Sequence, residues 1–211
     1  MVRFPGSCDD VDALGACDRV GDAEVLWHRD RSLHGVDAVV IPGGFSYGDY
    51  LRVGAIARFS PVMESVIAFA GDGGPVLGIC NGFQVLCEAG LLPGALLPNV
   101  AGRFLCRQLD IEVVDAGTAW TGAASAGELL SIPVKHQTGR YFAPPQQDVR
   151  VAFRYAHDGN PNGSSNDVAG VANAAGNVVG LMPHPEHAID LLTGSDDGLR
   201  LFASPAAALH A

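Results

Sequence analysis

Short apolar runs alternate with helical segments along the first half of the chain, and this alternation restricts the fold more than any other feature. Strands that alternate with helices form an open, mostly parallel sheet with helices on both faces, which is a three-layer α/β/α architecture. The second half is rich in strand-like runs, so we expect an antiparallel extension of that sheet. The expected strands are residues 2–4, 23–28, 38–41, 75–79, 111–114, 129–134, 149–155, 168–173 and 178–182, and the expected helices are 9–20, 61–70, 82–89 and 196–203.

Length and charge define the class of protein. The chain has 211 residues, 48% of them hydrophobic and 17% charged, which predicts one globular domain over residues 1–211. The formal net charge of −10 argues against binding to nucleic acid or to an anionic membrane surface. No apolar run reaches the roughly 18 to 20 residues of a membrane helix, and residues 1–10 lack the apolar core of a signal peptide. We therefore expect a cytoplasmic protein.

The cysteines and the phosphate-binding motifs narrow the chemistry further. The five cysteines include no C-x-x-C pair, which predicts reduced thiols and neither a disulfide framework nor a metal site. The sequence contains no G-x-x-x-x-G-K-[ST] loop and no G-x-G-x-x-G fingerprint, so we expect no ATP or dinucleotide bound to this chain.

One cysteine lies between two glycines where an apolar run meets a helical segment. Gly78-Ile79-Cys80-Asn81-Gly82 matches the G-x-nucleophile-x-G pattern, in which glycines allow a tight strand-to-helix turn that exposes the central side chain. The helix N-terminus stabilises a thiolate, and backbone N–H groups after the turn can bind an oxyanion. The alternative is a structural turn with a packed cysteine.

A thiol nucleophile requires an oriented base, and His184 is the best candidate. It lies in Met182-Pro183-His184-Pro185-Glu186, directly after the last expected strand. Residues two apart in an extended segment point to the same side, so Glu186 can contact the imidazole. Strand ends of an open α/β sheet meet where ligands bind, which would bring His184 to Cys80. A proline-bounded turn without function is the alternative.

A third glycine-rich segment follows the strand at 38–41. In Pro42-Gly43-Gly44-Phe45 the glycines let backbone N–H groups approach a substrate, although an ordinary turn would look the same. Two charged residues further on, Asp49 and Arg52, interrupt an apolar stretch and suggest contacts with a partner or a gate.

Taken together, these motifs resemble class I glutamine amidotransferases, whose nucleophile elbow, glutamine four residues later, Pro-Gly-Gly turn and His-x-Glu pair are all present. Within that class, longer segments are similar to the small glutaminase subunits of phosphoribosylformylglycinamidine synthase. The segments that carry this similarity are 42–63, 78–99, 160–164, 176–188 and 195–202.

The resemblance implies a flavodoxin-like fold and a role for each matching residue. Cys80 would attack the side-chain amide of glutamine, His184 would act as base and acid, and Glu186 would orient His184. Backbone groups of Gly43, Gly44, Phe45 and Asn81 would form the oxyanion hole, and Gln84 and His136 would contact the substrate. Residues 137–138, Gln-Thr, depart from the family's H-x-E-G-R segment, and the Pro5-Gly6-Ser7-Cys8-Asp9 run lacks one asparagine of the family's motif.

The resemblance also implies partners. A large synthetase subunit, which would hold ATP and Mg²⁺, and a small accessory subunit would form a complex with this chain, which itself would carry no cofactor. The ammonia that this chain releases from glutamine would be used by the synthetase subunit, which converts formylglycinamide ribonucleotide to formylglycinamidine ribonucleotide in purine biosynthesis. Two other interpretations keep parts of the pattern: a thiol hydrolase or peptidase-like protein of the same fold, and a non-catalytic interaction subunit.

Overall fold

The computed structural model describes residues 1–49, 52, 54–157 and 159–209, apart from the side chains of Asp49 and of residues 206–209. The strands are β1 (Val2–Arg3), β2 (Leu26–Trp27), β3 (Val39–Ile41), β4 (Val76–Ile79), β5 (Ala95–Leu97), β6 (Leu105–Val113), β7 (Leu129–His136), β8 (Arg140–Phe142), β9 (Arg150–Tyr155), β10 (Val168–Ala172) and β11 (Val178–Leu181). The helices are α1 (Asp10–Asp18), α2 (Pro61–Gly71), α3 (Asn81–Glu88) and α4 (Leu199–Leu209).

A seven-stranded mixed sheet in the order β3-β4-β11-β10-β9-β6-β7 is the centre of the molecule. Strands β3, β4 and β11 run parallel, and the pairs from β11 to β7 are antiparallel. The α/β class and the antiparallel extension are therefore confirmed. The parallel part is smaller than a mostly parallel sheet implies, because β1 and β2 pair with each other as two-residue strands and do not join the seven-stranded ladder.

Helix α3 packs on the parallel part of this sheet, against β4 and β11. Helices α1 and α4 contact each other. Strands β4, β10 and β11 are buried along their whole length, which explains why they appear in the sequence as unbroken apolar runs. The largest fully buried side chains are Trp120, Tyr141, Phe4, Phe83 and Phe153.

The sequence pattern missed two strands and shortened a third. Strands β5 and β8 have three residues each and pair with each other. Three residues are too few to show the alternation of apolar and polar residues by which a strand is recognised. Strand β6 begins at Leu105, whereas the sequence pattern predicted a start at residue 111. The pattern missed the first half because it is exposed and carries polar residues, although it pairs with β7. Among the described residues, no helix is long and apolar enough to cross a membrane. One domain over residues 1–211 stays a prediction.

Candidate active site

The turn between β4 and α3 holds Cys80 in a strained backbone conformation. Cys80 has φ +49° and ψ −101°, which non-glycine residues rarely adopt, and α3 begins at the next residue. A Cβ atom on Gly78 would lie 2.8 Å from the Gly82 carbonyl, and one on Gly82 would lie 2.1 Å from the carbonyl oxygen of Ile41. Close backbone contacts thus require both glycines, and the turn has the elbow form that the sequence predicts.

His184 and Glu186 follow β11, which lies next to β4 in parallel. The backbone N–H of Cys80 donates to the carbonyl of Leu181 at 2.8 Å, so the ends of the two strands are joined. His184 Nδ1 lies 2.6 Å from Glu186 Oε1, and both side chains are almost fully buried. Because a carboxylate only accepts, Nδ1 carries a proton and Nε2 is the nitrogen that can act on another group.

Two neighbouring residues determine the charge of His184. Burial lowers its pKa, but Glu186 and then Cys80 outweigh burial and raise the pKa of His184 to about 10. His184 Nε2 is buried and makes no hydrogen bond of regular geometry with the described residues. Cys80 and His184 line the same cavity, as the nucleophile and base of a thiol enzyme must. The arrangement favours an imidazolium.

The glycine turn after β3 packs tightly against two other segments. Gly44 has φ +92°, and a Cβ atom there would lie 2.2 Å from the backbone nitrogen of Cys8. A Cβ atom on Gly43 would lie 2.7 Å from both His184 Cε1 and Asp9 Oδ2. Gly43 therefore leaves the space that the imidazole occupies, and Gly44 lets the N-terminal loop reach the site.

These segments surround one cavity of about 470 Å³, a volume suited to a small molecule. Its wall contains seven of the nine residues that the sequence singles out, while Gly43 and Glu186 lie behind the wall, against His184. The lining residues are Cys8, Asp9, Gly44, Phe45, Cys80, Asn81, Gln84, Phe104, Lys135, His136, Gln137, Thr138 and His184.

A chain of amide hydrogen bonds links three sides of the cavity. Gln84 Nε2 donates to the carbonyl of Thr138 at 2.5 Å, and Asn81 Nδ2 donates to Gln84 Oε1 at 3.1 Å. Asn81 Oδ1 in turn accepts from the backbone N–H of Ser46 at 3.2 Å. Each amide is oriented by its neighbour, so Gln84 holds the elbow helix to the loop after β7. Gln84 bonds to the backbone carbonyl of Thr138, which any residue would supply. The replacement of the family's glutamate by the Gln137-Thr138 pair therefore does not remove this hydrogen bond.

His136 is the last residue of β7, and its ring contacts the side-chain amide of Asn99. The side-chain nitrogen of Asn99 donates to the carbonyls of Arg103 and His136, so its oxygen must accept. That oxygen lies 3.2 Å from His136 Nδ1, which is therefore the protonated nitrogen. Burial and then the charge of His184 lower the pKa of His136 to about 4. The neutral ring has an unprotonated Nε2 that is buried and has no partner among the described residues.

Three further charged or titratable side chains reach the site without having been assigned a role from the sequence. Lys135 Nζ lies 2.5 Å from Asp9 Oδ1, and Asp9 Oδ2 lies 3.6 Å from His184 Nδ1. His187 Nε2 lies 3.5 Å from Asp9 and 3.6 Å from Glu186. Asp9, His184, Glu186 and His187 could together hold a cation, but the Lys135 ammonium already supplies positive charge there. We assign no metal, which stays a prediction.

Other expectations from the sequence have mixed outcomes. All five cysteines are free. Arg52 forms a two-pronged ion pair with Glu88 on α3, including a 2.6 Å bond from its terminal nitrogen, so it ties its loop to the elbow helix. The side chain of Asp49, for which a partner or gate contact is predicted, lies outside the described residues.

Comparisons with known proteins agree with this geometry. Residues 1–198 match the family model of the CobB/CobQ-like glutamine amidotransferase domain. Phosphoribosylformylglycinamidine synthase subunit PurQ of Mycobacterium bovis is 61% identical, over 97% of this chain and 94% of the relative. The PurQ subunit of Rubrobacter xylanophilus is 57% identical, over 97% of this chain and 95% of its own length.

A solved structure gives the same result. A chain in the structure of PurLQS from Thermotoga maritima is 43% identical and superposes with a TM-score of 0.93, over 99% of this chain and 96% of that chain. The local motifs and the similarity over nearly the whole length therefore point to the same family. Those motifs are the elbow and the His-x-Glu pair. The chain belongs to the glutamine amidotransferase family and, within it, to the PurQ subunits of phosphoribosylformylglycinamidine synthase.

Proposed function

We propose that this chain hydrolyses glutamine and supplies the ammonia to a separate synthetase subunit. The observation that carries the proposal is the placement of Cys80, on a strained elbow, in the same cavity wall as a buried His184 that is bonded to Glu186. The Cys80 sulfur attacks the side-chain amide carbon of glutamine, and the His184 imidazolium gives its proton to the departing nitrogen. Ammonia leaves and a glutamyl thioester remains on Cys80.

Water completes the cycle. His184, now neutral, takes a proton from water, whose oxygen attacks the thioester carbon. Glutamate leaves, and the proton on His184 restores the starting charge. Throughout, Glu186 keeps Nδ1 protonated, so that Nε2 is the only ring nitrogen that exchanges a proton with the reactants.

Two backbone segments of the cavity wall are the proposed oxyanion-binding groups. Gly44 and Phe45 line the cavity on one side, and Asn81, the first residue of α3, lines it beside Cys80. Backbone N–H groups at a helix N-terminus and at a glycine turn are suited to a developing negative charge. We assign the oxyanion hole to these groups and give Gly43 the role of leaving space for His184.

His136 is proposed to accept a hydrogen bond from the substrate. Its Nε2 is unprotonated because Asn99 fixes the proton on Nδ1, and glutamine offers an ammonium group and an amide N–H₂ as donors. A buried acceptor without a partner costs stability, which a bound donor would recover. Gln84, whose amide is bonded at both ends, would act by holding Asn81 and Thr138 in place.

The proposed partners are those that the resemblance to the synthase subunits implies. We propose that a large synthetase subunit binds ATP and Mg²⁺ and uses the ammonia to make formylglycinamidine ribonucleotide, and that a small accessory subunit completes the complex. The similarity to a chain from the PurLQS structure supports such an assembly. A cytoplasmic location remains a prediction from the sequence.

Substitution of the nucleophile tests the proposal. Cys80→Ala in the assembled complex is expected to abolish synthesis from glutamine while synthesis from added ammonium salt continues. Cys87→Ala on the same helix is the matched control and should retain glutamine-dependent synthesis. Loss of both activities in an intact complex would contradict the assignment. Full glutamine-dependent synthesis by the Cys80→Ala variant would favour a non-catalytic subunit.

A further inference from the structure

Asp9 is a buried carboxylate beside the proposed catalytic centre that the mechanism above does not use. It is 5% exposed and lies in the loop between β1 and α1, far in sequence from the other site residues. A charge in this position requires compensation by neighbouring groups. The neighbours therefore indicate what the carboxylate does.

The two oxygens of Asp9 face different cations. Oδ1 bonds to Lys135 Nζ at 2.5 Å and lies 3.5 Å from His187 Nε2, while Oδ2 lies 3.6 Å from His184 Nδ1. The ring nitrogen that bonds to Glu186 thus has a second carboxylate beside it. A charge at this distance in a buried site interacts strongly, because little water screens it.

The surrounding backbone leaves room for this contact. A Cβ atom on Gly43 would lie 2.7 Å from Asp9 Oδ2 and equally far from the imidazole, so only glycine lets the carboxylate reach the ring. Lys135, on β7, holds the other oxygen, and the backbone carbonyl of Lys135 lies 3.9 Å from Cys80 Sγ. The Asp9–Lys135 pair therefore connects the N-terminal loop and β7 to both members of the nucleophile–base pair.

We propose that Asp9, held by Lys135, is a positioning residue of the glutaminase centre that acts together with Glu186 to orient His184 and to stabilise its imidazolium form. This inference rests on the proposed function, because it assigns Asp9 an action on the Cys80–His184 pair. Cys80, Asp9, Glu186, His187, Lys135 and His136 are the titratable groups that surround His184 from the packed elements.

The sign of the effect follows from charge. Asp9 is negative, so it favours a positive charge on His184. Asp9→Asn keeps the shape of the side chain and removes the charge, and His184 should then lose its proton at lower pH. Lys135→Met removes the opposing positive charge, so His184 should keep its proton to higher pH.

Nitrogen-15 chemical shifts of the histidine-labelled full chain measure this directly. The His184 signal is assigned with the His184→Asn variant and followed as the pH is raised. The midpoint of its titration is expected to fall by about one pH unit in Asp9→Asn and to rise in Lys135→Met. Asp115→Asn, which removes a carboxylate paired with Arg150 outside the cavity, is the charge control and should not shift it.

The possible outcomes distinguish a failure of this inference from a failure of the proposed function. If Asp9→Asn lowers glutamine-dependent synthesis without moving the midpoint of the His184 titration, Asp9 is only structural and the inference is wrong. If Asp9→Asn does not fold, the direction of the Lys135→Met shift decides, and an unchanged or lowered midpoint overturns the inference. If Cys80→Ala in the assembled complex keeps full synthesis from glutamine, the proposed function fails, whatever the midpoint of His184.

Discussion

The two buried histidines of the cavity show how the same side chain acquires opposite properties. His184 Nδ1 lies 2.6 Å from Glu186 and 3.6 Å from Asp9, and Glu186 and then Cys80 raise the pKa of His184 to about 10 in spite of its burial. His136 is bonded to the amide of Asn99, and burial lowers its pKa to about 4. Burial is similar for both, so the neighbours decide which ring is charged. One side of the cavity can transfer protons, and the other can only accept a hydrogen bond.

The largest expected effect comes from removing the charged ring. His184→Asn in the assembled complex should lower kcat/KM for glutamine by about 10³-fold, because general acid–base catalysis is lost. Synthesis from added ammonium salt is the control and should persist. A loss below tenfold would mean that His184 is not the base and would remove the contrast between the two histidines.

A somewhat smaller effect should follow from removing the Glu186 carboxylate, which stabilises the protonated form of His184. Glu186→Gln is expected to lower kcat/KM by about 10²-fold, since the ring loses its orienting partner. Because Glu186 raises the pKa of His184, the basic limb of the pH profile should also move to lower pH. Glu128→Gln, which breaks an ion pair with Arg200, is the matched control. A lower rate with an unmoved basic limb would contradict the electrostatic role.

Substitution of the neutral histidine, His136, should change KM rather than kcat. His136→Asn can keep a donor toward Asn99 while it removes the acceptor, so KM for glutamine should rise about tenfold with little change in kcat. His136→Gln places an amide oxygen near the position of Nε2 and should recover part of the loss. Equal losses of kcat in both variants would show that His136 acts in the chemical step.

A stability measurement gives the smallest effect. The folded-state pKa of His136 lies below its ordinary value, so the unfolded chain binds the extra proton and the free energy of unfolding falls as pH decreases from about 6.5 to 4. The contribution is about 3 kcal/mol at most. Urea titrations across this range should show a shallower pH dependence in His136→Asn. An unchanged slope would mean that His136 is charged in the folded protein.

The sequence predicted the parts of the site that local pattern encodes. Gly78 and Gly82 are required by backbone contacts that any strand-to-helix elbow makes, and His184 and Glu186 are neighbours along the chain. Asp9 and Lys135 are 126 positions apart, and no local pattern indicates that they meet. The tautomer of His136 was equally hidden, because it depends on which carbonyls orient Asn99. Long-range pairing of polar groups is therefore what the sequence could not provide.

The fold shows the same limit. Strands β4 and β11 were predicted because burial on both faces makes them continuous apolar runs. Strand β6 was shortened because its exposed first half is held by pairing with β7, which leaves no apolar signature. The size of the antiparallel half follows from such pairing and was underestimated for that reason.

Nitrogen-15 NMR of the two imidazoles tests the central claim most directly. Chemical shifts of ¹⁵N-histidine-labelled protein, assigned with the His184→Asn and His136→Asn variants, report both the charge and the tautomer of each ring. At about pH 7 we expect His184 to be a doubly protonated imidazolium and His136 to be a neutral ring with its proton on Nδ1. A neutral His184, or a His136 that is charged or carries its proton on Nε2, would contradict the account.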